Sequence, residues 1–303
     1  MGAIRVLLRN SIDYAGLFPP AGLDMNAAVG NYHRYRAGET AWALGRFILP
    51  VSRLAEFEQA AGHIPRPPAG QPWLLGVLTG ADLAADLEQV AEFNRRHAAT
   101  GATQIDTLEA KTSSGDAVRD TMHRIPSHLQ AYLEVPSDSD PTSLIATIGQ
   151  MGGRAKVRTG GVTREGFPPT AHLLRFLQAC VRVGVPFKAT AGLHHPLRAQ
   201  YRFTYAPDSP TGMMFGFLNL FLAAAFLRAG MEEPEAAQIL EEESPLAFRF
   251  DARGVSWRDH RIGHDALASA RQHLIVSFGS CSFTEPLEEL QALNLLESRV
   301  QQA

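Results

Sequence analysis

Short apolar runs alternate with longer segments of helical period along almost the whole chain, and this alternation limits the fold more than any other feature. Strand candidates are "IRVLL" near the start, "RFILP" at 46–50, "WLLGVL" at 73–78, "QIDTLEA" at 104–110, "LQAYLEV" at 129–135, "RAKVRT" at 154–159, "PFKAT" at 186–190 and "HLIVSFG" at 273–279. Helix candidates such as "ADLAADLEQVAEFNRRHAAT" and "TAHLLRFLQACVRVG" lie between them, and "VGVP" closes the second with a glycine. Eight strands in one βα succession, with no G-x-G-x-x-G after the first, imply a closed (β/α)8 TIM barrel rather than an open sheet. The stretch at 193–272 is too long for an ordinary connection and reads as an insertion between strands 7 and 8. It carries an apolar helix at 213–227, a second helix "EEPEAAQILEEE" and a hairpin "LAFRFDARGVSWRD", within one barrel domain spanning 1–303.

Composition narrows the function classes. A net charge of -3 with no basic block argues against nucleic acid or an anionic membrane as partner. The run at 213–227 is short of the roughly 20 residues that span a bilayer and includes Asn219, so a buried core helix or a dimer face is expected. Two cysteines, Cys180 and Cys281, provide neither a disulfide framework nor metal-ligand spacing. With no signal-peptide pattern at the start, the expectation is a cytoplasmic protein, a homo-oligomer, whose partner is a small-molecule substrate.

The lysines are the chemical clue. Of 28 basic side chains only Lys111, Lys156 and Lys188 are lysine, and all three fall in or just beyond predicted strands. In a parallel barrel, catalytic groups stand at the C-terminal strand ends. Arginine cannot replace lysine where the nitrogen must lose its proton, and a second nearby cation lowers an ammonium's pKa toward neutrality. Lys156 is therefore a candidate nucleophile for a carbonyl group, with Lys188 on the adjacent strand perturbing it. An accident of composition, with lysines at a barrel rim, is the bland alternative. Glu134, Lys156, Arg158 and Lys188 concentrate charge on strands 5 to 7, and buried charge marks a site more often than a core. Arg158 suits a carboxylate or phosphate, or an ion pair with Glu134.

Several ordered segments resemble deoxyribose-phosphate aldolase, a class I aldolase barrel: "IDYAGLFPPAGLDMNAAVGNY", "RFILPVSRLAEFEQAA", "GATQIDTLEAK", "AYLEVP", "AKVRTGG", "VPFKATAGLHH" and "SFGSCS". The resemblance implies a Schiff-base lyase with Lys156 forming the imine, Lys188 lowering its pKa and Asp106 moving the proton. It also implies a substrate phosphate held near Gly160, Gly192, Gly279, Ser280 and Ser282, where turn amides of a barrel bind anions. Val157-Arg158, Ala191-Gly192 and "LHHP" depart from the family's pattern, so a shared substrate is not expected.

Strand parity opposes part of this. Alternation puts Asp106 on one face and Glu109 and Lys111 on the other, unless a bulge intervenes. Either Asp106 serves the site, as the resemblance favours, or Glu109 and Lys111 do. His194 and His195 follow strand 7 as acid/base or binding groups, and adjacent residues of extended chain point apart. Their spacing, alone or with Glu134, matches no metal motif, so neither metal nor organic cofactor is expected. The competing function is an anion-binding barrel of phosphoribosyl-transfer or decarboxylation type, in which the Lys/Arg cluster only neutralises charge; a non-catalytic barrel is the third possibility.

Overall fold

The computed structural model describes residues 2–296, apart from 66, 69 and 137. Eight parallel strands close into a barrel: β1 (Ile12–Tyr14), β2 (Leu44–Pro50), β3 (Trp73–Leu78), β4 (Thr103–Lys111), β5 (Gln130–Glu134), β6 (Arg154–Arg158), β7 (Phe187–Thr190) and β13 (Ile275–Ser280), with β13 pairing both β7 and β1. The helices α2 (Met25–Ala37), α3 (Leu54–Gly62), α4 (Leu83–Ala98), α5 (Gly115–Arg124), α6 (Thr142–Gln150) and α7 (Thr170–Val183) occupy the crossovers between the first seven strands. Gly184 ends α7 in the left-handed conformation at φ 73°, as the glycine signal implies. The barrel's outer face packs through aromatic contacts such as Phe47 against Phe57 at 5.5 Å and Phe57 against Phe93 at 6.2 Å.

The first strand is not where the apolar run suggests. "IRVLL" lies within helix α1 (Ala3–Leu8), whose buried residues Ala3, Ile4, Leu7 and Leu8 follow a helical i, i+3, i+4 spacing. The true β1 has only three residues, all buried, too short to show an alternation. This shift moves Asp13 from a loop onto a barrel strand.

Between β7 and β13 the chain adds a hairpin of β8 (Ala199–Arg202) and β9 (Thr211–Met214), then α8 (Phe217–Arg228) and α9 (Glu233–Glu241). A three-stranded antiparallel meander, β10 (Phe248–Asp251), β11 (Gly254–Trp257) and β12 (His260–Gly263), leads into α10 (His264–His273). The expected hairpin thus gains a third strand, and the hairpin β8–β9 is an element that no apolar run in the sequence marks. α8 is apolar on every side because it is covered by α7, α9, α10 and β13, where a barrel's seventh outer helix belongs. Its Phe217 stacks on Phe278 of β13 at 4.6 Å. Its one polar residue within the buried stretch, Asn219, donates to the carbonyls of Ile239 and Glu242 at 2.7 and 2.8 Å and accepts from the Arg198 amide at 2.8 Å. Full pairing makes this buried amide a clamp rather than a cost. No helix among the described residues is long and apolar enough to cross a membrane.

Candidate active site

Barrel interiors are ordinarily packed with branched apolar side chains. Here the strands converge on charge instead. Register aligns Glu134, Lys156, Lys188 and Ser277 across β5, β6, β7 and β13. Glu109 of β4 joins them: its Oε2 is 2.7 Å from Lys156 Nζ and its Oε1 is 2.6 Å from Lys188 Nζ. Lys156 also meets Glu134 at 2.8 Å, and Lys188 meets Asp13 at 2.6 Å. Asp13 in turn accepts from Ser277 Oγ at 2.7 Å and from the Arg46 amide at 2.9 Å. The result is one alternating chain, Asp13–Lys188–Glu109–Lys156–Glu134, with three carboxylates against two ammoniums.

Burial makes these partners indispensable to one another. Glu109 is 3% exposed, and burial would raise its pKa, but the two ammoniums outweigh that and hold it at about 2. Lys188 is 1% exposed; burial would lower its pKa, yet Asp13 and Glu109 lift it above the ordinary value. The expectation that the paired lysines depress each other therefore fails at Lys188, because Glu109 stands between them and Asp13 lies behind. Tyr132 closes the network from below, its ring 5.4 Å from Lys188 Nζ and its hydroxyl accepting from Arg154 at 3.0 Å.

The parity conflict on β4 is resolved by a bulge. Leu75 of β3 faces Ile105 while Gly76 faces Thr107, so Asp106 is the extra residue. Both Asp106 and Glu109 can then point inward, but they do different work. Asp106 is held bidentately by Arg46, at 2.7 Å on each oxygen, and accepts from Thr107 Oγ1 at 3.0 Å. It touches neither lysine, and the acidic partner of Lys188 on the far side is Asp13. Sequence reasoning passes over Asp13 because the apolar run places the first strand too early; the signal is the short "SIDY" preceding the Gly-Pro-rich loop.

Lys156, Lys188 and Glu109 form the floor of a cavity of about 220 Å³ at the C-terminal end of the barrel. Arg158, Thr190, Gly192, His194, Gly279 and Cys281 also line it, as do Phe18, Ile48 and Leu78 from the opposite side. Arg158 makes no ion pair among the described residues, and its exposed guanidinium stands two residues beyond Lys156 on β6. The alternative pairing with Glu134 is not formed, since Glu134 is taken by Lys156. Lys111, at the end of β4, is exposed and lies outside the cavity lining.

The two histidines diverge as adjacent residues should. His194 is buried against the cavity, with Nδ1 3.3 Å from Ser280 Oγ and 3.5 Å from Cys281 Sγ. Ser280 Oγ also accepts from the Ser282 amide at 3.3 Å. Burial, aided by His195, pushes the His194 pKa down to about 4, so the ring is neutral at physiological pH. His195 turns away, stacked on Tyr201 at 3.4 Å and paired with Glu289 at 2.7 Å. Its imidazole and the carboxylates of Glu285 and Glu289 have ligand atoms within 4.8 Å of one another, an arrangement able to accept a metal ion outside the cavity.

The serine hydroxyls of the turn expected to hold phosphate are engaged within the protein. Ser280 Oγ is engaged by His194, and Ser282 Oγ accepts from the Glu285 amide at 3.2 Å at the start of α11 (Thr284–Ala292). Neither serine lines the cavity. Gly192 and Gly279 do, whereas Gly160 lies beneath Phe167: a Cβ on Gly160 would meet that ring at 2.5 Å.

No protein-family model matches the chain. No curated protein is detectably similar to it. Two solved structures of dihydropteroate synthase from Xanthomonas albilineans are similar over most of their length. One, in complex with indole-2-carboxylic acid and 6-chloroguanine, shares 15% identity over 95% of this chain and 94% of that chain, at a TM-score of 0.30. The other, in complex with 7,8-dihydropteroate, shares 14% identity over 96% of each chain, also at 0.30. A likeness this loose says nothing about the site. The eight-stranded parallel barrel rests on its own strand order.

Proposed function

We propose that the protein is a Schiff-base-forming lyase of the aldolase kind, with Lys156 as nucleophile toward a small carboxylated or phosphorylated carbonyl compound. The observation that carries this reading is the surplus carboxylate. Among the described residues, Asp13, Glu109 and Glu134 have only Lys156 and Lys188 as ionic partners, so the carboxylates outnumber the ammoniums by one and one of them is available to take the Lys156 proton, a transfer that leaves the net charge of the cluster unchanged. Glu109 has both oxygens on lysines and is held near 2, so the acceptor is Glu134, whose side chain is 11% exposed beside Lys156.

The chemistry then follows from position. Glu134 takes a proton from Lys156, and the freed lone pair adds to the substrate carbonyl carbon. The carbonyl oxygen takes one proton from the added nitrogen and a second from the protonated Glu134, and leaves as water, giving an iminium on Nζ and an ionised Glu134. The bond between the substrate's α and β carbons breaks: a β-hydroxyl gives its proton to Glu134 and becomes the carbonyl of the released fragment, while the bonding pair moves toward the iminium to form an enamine. The enamine is reprotonated at carbon, and water returns the amine. Lys188, fixed as an ammonium, supplies a permanent positive charge that keeps Glu109 ionised beside the iminium. His194 lines the same cavity with a neutral imidazole.

Enamine formation predicts exchange of the substrate's α-hydrogens with solvent. Proton NMR in deuterium oxide over a panel of small ketones, aldehydes and oxo acids is expected to show enzyme-dependent loss of an α-proton signal, abolished by Lys156→Met. Tight binding of panel members with no exchange in any of them would instead favour the reading in which Lys156 and Arg158 only neutralise a substrate anion.

A further inference from the structure

The cavity has two unlike halves. The loop after β1 and strands β2 and β3 contribute Ala15, Phe18, Pro19, Pro20, Ile48 and Leu78, all without a side-chain polar atom. Strands β4, β6 and β7 contribute the charge, Glu109, Lys156, Arg158 and Lys188, and the loop after β7 adds the neutral imidazole of His194. A polyhydroxylated phosphate would find little here. The floor carboxylate, Glu109, is committed to both lysines, and the hydroxyls of Ser280 and Ser282 are engaged by His194 and by the start of α11. Glu285 adds negative charge in that helix's first turn, beside the turn expected to receive phosphate. Among the cationic side chains of the lining, the one left for an anion is Arg158, a guanidinium with no ionic partner among the described residues, whose planar fork matches a carboxylate. It stands two positions beyond Lys156 along β6, roughly 6.6 Å of strand, so the anion sits close to the reacting carbon.

Building on the imine reading, we infer that the substrate is a short oxo acid with an apolar side chain: a carboxylate on Arg158, a neighbouring carbonyl on Lys156, and a branched or aromatic group against Phe18, Ile48 and Leu78. The volume of about 220 Å³ is below the roughly 300–1,000 Å³ of pockets for drug-sized ligands, which limits the apolar group to a few carbons or one ring. This parts company with the sugar phosphate that the family resemblance implies.

The test separates substrate class from imine chemistry. Calorimetric titration of the wild-type protein with 2-hydroxy acids of increasing chain length measures the cavity's preference with compounds that cannot form an imine. Affinity is expected to tighten roughly fourfold per added methylene, up to 2-hydroxy-4-methylpentanoate and phenyllactate. Arg158→Gln is expected to weaken each by roughly tenfold or more. Glycerol 3-phosphate is expected to bind more weakly than any of the longer acids. Flat affinity with chain length, no response to Arg158→Gln, or tighter binding of glycerol 3-phosphate would each overturn the inference. If the hydroxy acids bind as expected but the matching oxo acids show no α-hydrogen exchange, the substrate class stands and the imine reading falls. Exchange with phosphorylated carbonyls, without binding of the apolar acids, means the reverse: the imine chemistry stands and the apolar substrate class falls.

Discussion

Glu109 and Lys156 meet at 2.7 Å with side chains 2% and 5% exposed, and the second oxygen of Glu109 takes Lys188 at 2.6 Å. One carboxylate thus neutralises parts of two buried ammoniums. Breaking such a pair from one side leaves uncompensated charge in the interior, at about 3–5 kcal/mol. Glu109→Gln is expected to lower the denaturant midpoint accordingly, with an unchanged slope. Glu134→Gln removes a more accessible partner and is expected to cost less stability while abolishing α-hydrogen exchange.

The pH dependence of stability has a definite sign. His194 falls from an ordinary 6.5 to about 4 in the fold, so between those values the unfolded chain binds a proton that the folded one does not. Stability is expected to drop as pH falls through that window, with a slope approaching about 1.4 kcal/mol per pH unit from this group. His195, Cys281, Ser280 and Glu285 are the polar groups around it. Glu109, lowered from 4.5 to about 2, adds a further acid loss below pH 4.5. Lys188 is raised, so its contribution is full below its ordinary 10.5 and is lost as pH climbs above that. Unfolding curves from pH 7 to 4 are expected to be flatter for His194→Gln; an unchanged slope would contradict the buried neutral imidazole.

Asp13 and Asp106 should behave oppositely. Asp13 bonds Lys188 at 2.6 Å, whereas Asp106 is clamped by Arg46 and touches no lysine. Asp13→Asn is expected to reduce α-hydrogen exchange by roughly tenfold or more, through the position and charge of Lys188. Asp106→Asn is expected to lower the melting temperature, and the double change Arg46→Met with Asp106→Leu to recover most of that loss, with exchange retained throughout. Loss of exchange in the folded double variant would return Asp106 to the chemistry.

At the mouth, Gly192 takes φ 69°, and a Cβ there would lie 2.9 Å from the Phe167 ring and 3.0 Å from the Gly160 Cα. Gly192→Ala is expected to cost about 1–3 kcal/mol in unfolding measurements and to weaken ligand binding, because the crowded neighbour includes backbone as well as a ring.

The residues legible in the sequence are those whose signal is local. Seven of the eight barrel strands can be located from apolar runs bounded by turns, and the rare lysines mark β6 and β7 as the chemical side. What escapes depends on contacts distant in sequence. Asp13 reaches Lys188 across 175 positions, from a strand too short to carry a period. The bulge at Asp106 is set by pairing with β3, so strand parity alone cannot choose between Asp106 and Glu109. The turn serines look free for an anion until His194 and α11 are seen to occupy them.

Imine formation on Lys156 can be trapped outright by borohydride reduction in the presence of apolar oxo acids, followed by intact mass and peptide mapping. One substrate-derived adduct is expected, on Lys156, lost in Lys156→Met and greatly diminished in Glu134→Gln. An adduct on Lys188, or none with any oxo acid that binds, would contradict the role given to Lys156.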